Sequence, residues 1–132
     1  MLNFYLPDFF YLFKLNMNTI LYMKNNPGVF YDNITVKSVY GAFPPSIWNG
    51  GRTMSFDYVD RATIKATIKT FNDQGVALRF TFTNTLIREE HLSDTYCNEC
   101  LKMAQNGVNE VLVNSPILEE YIRKNYPKYP II

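Results

Sequence analysis

The chain has 132 residues, 47% of them hydrophobic and 19% charged, a composition that belongs to a folded domain and excludes a disordered segment. Thirteen basic against twelve acidic side chains leave a formal charge of +1, and because they are spread along the chain no basic stripe marks a nucleic-acid face. The apolar start of the chain is broken by Asp8, Lys14, Asn16 and Asn18, well short of the roughly 20 apolar residues a membrane span needs, and it lacks a basic start and a small-residue cleavage site. The expectation is a cytoplasmic protein without a membrane partner.

The first predicted element is a helix over residues 8–25, after Pro7, with Phe13, Met17, Ile20 and Leu21 on one face and a stop at Asn25-Asn26-Pro27-Gly28. Residues 34–40 are β-branched and aromatic and read as a short strand. A long loop follows, holding Trp48 and the run Asn49-Gly50-Gly51-Arg52. Residues 58–74 alternate like a strand and also repeat every four; Ile64, Ile68 and Phe71 share a helical stripe, with Ser55 or Asp57 available as a cap, so a helix is assigned. Residues 76–83 alternate as a second strand, and residues 88–105 trace one apolar helix face through Leu92, Tyr96, Cys97, Cys100, Leu101 and Ala104. Glu110 to Val113 is a third strand, Ser115-Pro116 opens a last helix as cap and first-turn proline, and residues 129–132 begin a fourth strand.

Strand and helix in alternation predict a parallel sheet with right-handed crossovers, either a (β/α) barrel or an open doubly wound sheet. No Gly-x-Gly-x-x-Gly turn follows the first strand, and polar residues follow every strand, as on the C-terminal face of barrel enzymes. The expected fold class is therefore α/β: a partial (β/α) TIM-like barrel of about four parallel strands with flanking helices and an extra N-terminal helix. Residues 1–132 form a single domain, with a helix and linker over 1–33 and β/α units over 34–132. A complete barrel takes some 250 residues, so the chain is expected to be a truncated one, about half of a barrel.

Residues 81–131 resemble the N-terminal barrel half of the peptidase U32 family. The matching pieces are Asn84-Thr85 at a strand end, Glu89-Glu90 at a helix start, Gly107-Val108-Asn109-Glu110 at a turn into a strand, and Pro130-Ile131. Val39-Tyr40-Gly41 through Arg52 to Phe56 is similar to the family's opening strand and Arg-containing loop. Asn109 and Asn114 stand where the family more often has Asp. The resemblance implies an incomplete TIM-like barrel related to enzymes classed as peptidases, some of which are oxygen-independent hydroxylation factors acting on RNA or quinone precursors. It also implies that the cysteines holding an iron-sulfur cluster in several members lie past this segment, which itself carries no cofactor.

Loops after parallel strands converge on one rim, which makes Asn49, Gly50, Gly51, Arg52, Asn84, Thr85 and Asn114 the candidate substrate-binding residues. Arg52 offers five fixed donors to a carboxylate or phosphate. Ser115 is accounted for as a helix cap, and no catalytic set is legible. Cys97-x-x-Cys100 has the spacing of half a metal site, but both residues lie on the apolar stripe and read as buried core, so no metal is assigned. His91, beside Glu89 and Glu90, is a candidate for proton transfer, and Trp48 for stacking or for a lid. The expected function is the N-terminal part of a U32-like enzyme binding a small or nucleobase-like substrate at the rim. The alternative is a non-catalytic domain that completes its sheet with a partner chain or a second copy of itself through open strand edges.

Overall fold

Four short runs rich in aliphatic and aromatic residues are brought side by side, each followed by an amphipathic helix. In the computed structural model, which describes residues 1–50 and 57–132, the order is β1 (Leu2–Pro7), α1 (Phe13–Asn25), β2 (Ile34–Gly41), α2 (Arg61–Asp73), β3 (Ala77–Phe82), α3 (Thr95–Ala104), β4 (Glu110–Val113) and α4 (Pro116–Asn125). The four strands form one all-parallel sheet in the order β1-β2-β3-β4. A further parallel bridge joins Val111 to Ile131. The chain is thus an α/β protein in which neighbours in sequence are neighbours in the sheet.

Alternation along the strands separates two faces. Val39, Leu78, Phe80, Phe82 and Val111 are almost completely buried and pack with Ile64, Phe71, Leu101, Leu118 and Ile122 of the helices. Phe80 and Phe82 stack on each other, and Phe9 and Phe43 close on Phe80 from the loops. Right-handed crossovers in a sheet of sequential order lay every helix on this same face. The opposite face, carrying Tyr5, Tyr40, Arg79, Thr81, Glu110 and Leu112, has no helix over it among the described residues.

The first element corrects the sequence reading. The N-terminal helix is not an extra one, because β1 precedes it and the two form a β/α unit like the other three. Leu2 to Pro7 is an edge strand, largely exposed, and its pairing partner lies some thirty residues along, at Ile34 to Tyr40. No local alternation of buried and polar residues marks such a strand. The inner stripe of α1 is also rotated: Asn16 is buried with Met17 and Ile20, while Leu21 is exposed.

The other elements follow their local signals with shifted ends. Asp60, not Ser55 or Asp57, caps α2 by accepting from the Thr63 amide; Ser55 lies outside the described residues. The helix expected over 88–105 is a short 3-10 turn at Glu89–His91 followed by α3, because the Asp94 side chain accepts from the Cys97 amide and starts the helix afresh. Ser115 caps α4 and Pro116 opens it.

Candidate functional site

The carboxyl ends of the strands are held by a small number of specific bonds. After β1 the chain turns through Asp8, which sits at a φ of 58°; its Oδ1 accepts from the amides of Phe10 and Tyr11, the local bonding that lets Asp occupy the left-handed region. Buried Asn16 donates its side-chain amide to the carbonyls of Pro7 and Asp8, locking the same turn from α1. The loop after β2 folds across the end of β3. There Trp48 is completely buried, its ring against Phe82 and Tyr121 and its Nε1 donating to the His91 carbonyl at 2.8 Å.

This arrangement leaves a groove of about 740 Å³ on the face without helices. Its walls come from Tyr5, Pro7 and Asp8 of the first unit, Tyr40 and Asn49 of the second, and Arg79, Thr81 and Thr83 of the third, with Leu112 of β4 at one side. Thr81 Oγ1 donates to Asn49 Oδ1 at 3.2 Å, tying the loop to the strand. Arg79 Nε donates to Glu110 Oε2 at 2.7 Å, and its guanidinium carbon lies 4.4 Å from the Tyr5 ring centroid. The groove therefore combines two aromatic side chains, three hydroxyl or amide groups and one oriented guanidinium.

Gly50 is required by this packing. A Cβ at that position would come within 2.5 Å of the Thr83 carbonyl oxygen and 2.6 Å of its Oγ1. Gly50→Ala must push the loop off the end of β3, at a cost of about 1–3 kcal/mol by the usual penalty for overpacking. Denaturant titration and the indole fluorescence of Trp48 will register both effects; unchanged stability and emission would mean that the loop does not rest on Thr83.

The residues expected from the sequence separate into three groups. Asn49 and Gly50 line the groove. Asn84, Thr85 and Asn114 do not: Asn84 donates to the Ile47 carbonyl and accepts from the Leu86 amide as a loop fastener, and Thr85 and Asn114 are exposed beside the strand ends. Gly51 and Arg52 lie outside the described residues. Trp48 is a core residue and neither a lid nor a stacking platform. His91 is engaged in the loop scaffold, its Nδ1 accepting from the Arg88 amide and its carbonyl from Trp48, and it is not part of the groove lining. Tyr5, Asp8, Tyr40, Arg79, Thr81 and Thr83 were not picked out from sequence. For β3 the signal was present: Arg79, Thr81 and Thr83 occupy the polar phase of a strand whose other phase is Leu78, Phe80 and Phe82.

Cys97 and Cys100 are buried free thiols on the inner face of α3. Burial pushes the Cys97 thiol from its ordinary 9.0 up to about 12 and raises Cys100 as well. Groups of three or more His, Cys, Asp or Glu able to hold a metal are absent among the described residues. A thiol that stays protonated in the folded chain while the unfolded chain has lost its proton makes stability fall as pH rises. The contribution is intact below pH 9 and declines between 9 and 12, by up to about 1.4 kcal/mol per pH unit for each thiol. Urea midpoints at pH 8 and pH 10.5 will show the decline, and Cys97→Ala will reduce it. An equal decline in wild type and variant would assign it elsewhere.

Comparison with known proteins found no matching family model, no matching curated protein and no matching solved structure.

Proposed function

We propose that this chain is a half-barrel of the peptidase U32-like kind, the N-terminal part of an enzyme, which binds a small or nucleobase-like substrate at the carboxyl ends of its strands. The observation that carries this reading is the groove, where side chains from all four strands and from the turns after β1, β2 and β3 meet on the open face of a sheet of strictly sequential parallel strands. Barrel enzymes act at that end, whereas a doubly wound sheet binds at a reversal of strand order, and β1-β2-β3-β4 contains no reversal. Two buried thiols suit the reducing cytoplasm in which the reading places the protein.

Titration of the isotopically labelled protein with uracil and with hypoxanthine tests the proposal. The expected result is a set of saturable amide shifts centred on Tyr40, Asn49, Thr81 and Thr83, with Kd at or below about 1 mM, equivalent to about −4 kcal/mol. Shifts scattered over the helices, or none with either base, would remove it.

One observation favours a second reading, that the half-barrel completes itself with a second copy. Among the described residues the outer edge of β1 has no strand beside it, its Leu2 and Phe4 are 56% and 49% exposed, and open apolar edges recruit further strands. A monodisperse particle of twice 15.4 kDa would support that assembly, and a monomer at high concentration would end it.

A further inference from the structure

We propose that the Arg79–Glu110 pair makes the groove selective for an uncharged oxygen acceptor, such as a ring carbonyl, against an anion. The inference rests on the groove being the ligand site and names the chemical class it accepts. Arg79 is held along one edge only: Nε is bonded to Glu110 Oε2, the Tyr5 ring covers the guanidinium, and Nη1 and Nη2 have no hydrogen-bond partner among the described residues. Its side chain is 14% exposed and lines the groove, so the two unused nitrogens form a fixed pair of donors at the groove floor.

Charge decides what those donors accept. Glu110, 7% exposed, cancels the guanidinium from the neighbouring strand, and the Asp8 carboxylate lines the groove. Among the described residues the charged side chains of the lining are Arg79 and Asp8, and Glu110, outside the lining, is paired with Arg79, so the one cation is already matched before the Asp8 carboxylate is counted. A carboxylate ligand entering this site loses its hydration and, among the described residues, meets an arginine that is already paired and the Asp8 carboxylate. A neutral carbonyl takes the same charge-assisted hydrogen bond with a much smaller desolvation cost. The Thr81 hydroxyl, its proton given to Asn49, can only accept, and the Thr83 hydroxyl donates or accepts, so neither favours an anion.

The test compares two ligands of similar shape, 6-methyluracil and orotate, which carry a methyl group and a carboxylate at the same ring position. Wild-type protein is expected to bind 6-methyluracil at least about tenfold more tightly than orotate. Glu110→Gln keeps an acceptor for Nε while freeing the positive charge, and is expected to bring the two affinities together or reverse their order. Asp8→Asn retains the acceptor for the Phe10 and Tyr11 amides and should shift the ratio in the same direction, which keeps the test decisive if Glu110→Gln does not fold. Equal binding of both ligands by wild type, or a ratio that neither substitution moves, overturns the selectivity and leaves the groove standing as a ligand site. Binding of neither ligand, with uracil and hypoxanthine also silent, overturns the groove reading and this inference with it.

Discussion

Arg79→Ala will destabilise the protein by about 3–5 kcal/mol, the usual result of stripping one partner from a buried ion pair. The loss comes from Glu110, which is left with an unpaired charge at 7% exposure, more than from the missing attraction. Arg79→Met combined with Glu110→Leu should recover most of the stability, since the desolvation penalty disappears when both charges do. Chemical denaturation of Arg79→Met, Glu110→Leu and the double variant measures the coupling directly. The pairs Lys69–Asp73 and Arg123–Glu119 are exposed along their helices and provide the contrast, because breaking either is worth at most about 1 kcal/mol. A cost for Arg79→Ala in that lower range would show that the sheet face is wet and the guanidinium not fixed.

Asn109→Ala should be comparably damaging at the other end of the sheet. Asn109 is completely buried; its Oδ1 accepts from the Leu78 amide and from Asn72 Nδ2, and its Nδ2 donates to the Ala104 carbonyl and to Asn72 Oδ1. One side chain thus ties the ends of α2 and α3 to the start of β3. Each buried group left unpaired costs about 1–3 kcal/mol, so truncation is expected to cost about 3 kcal/mol or more. Hydrogen exchange at the Leu78 amide should accelerate in the same variant. Asn109→Asp keeps the acceptor but points a carboxylate oxygen at the Ala104 carbonyl, and should lose at least as much. If Asn109→Asp matched wild type in stability, the amide clamp would not be what holds these elements together. The structural demand for a donor to the Ala104 carbonyl is met by Asn and not by Asp at this position.

Several elements could be read from local pattern because their stabilising contacts are local. The Ser115-Pro116 start of α4 is a cap four residues long, and the alternation of Leu78, Phe80 and Phe82 sets the strand period of β3 within six residues. The buried stripe of α3, cysteines included, follows from a 3.6-residue repeat. By contrast, β1 is stabilised by pairing with a segment about thirty residues away, and as an edge strand it has no two-sided burial to imprint a pattern. Trp48 lies in a loop rich in turn residues, where an aromatic ring suggests exposure. Its burial depends on the His91 carbonyl, 43 residues along the chain.

The same division runs through the candidate site. Asn49 and Gly50 were legible because a polar, glycine-containing loop after a parallel strand belongs at the carboxyl rim. Asn84 shared that signal and serves a different end, since its amide is consumed by the loop it sits in. Composition, periodicity and capping residues were enough to establish an α/β chain of parallel strands, though not its first strand. They did not say that the polar phase of β3 would meet Glu110 on one side and Tyr5 on the other. Pairing across a sheet is settled by register between distant segments, and the bond between Arg79 and Glu110 spans 31 positions. Periodicity records which side of its own strand a residue occupies. Only the assembled sheet, by placing that side against its neighbours and away from water, turns three scattered polar residues into a groove with an oriented guanidinium at its floor.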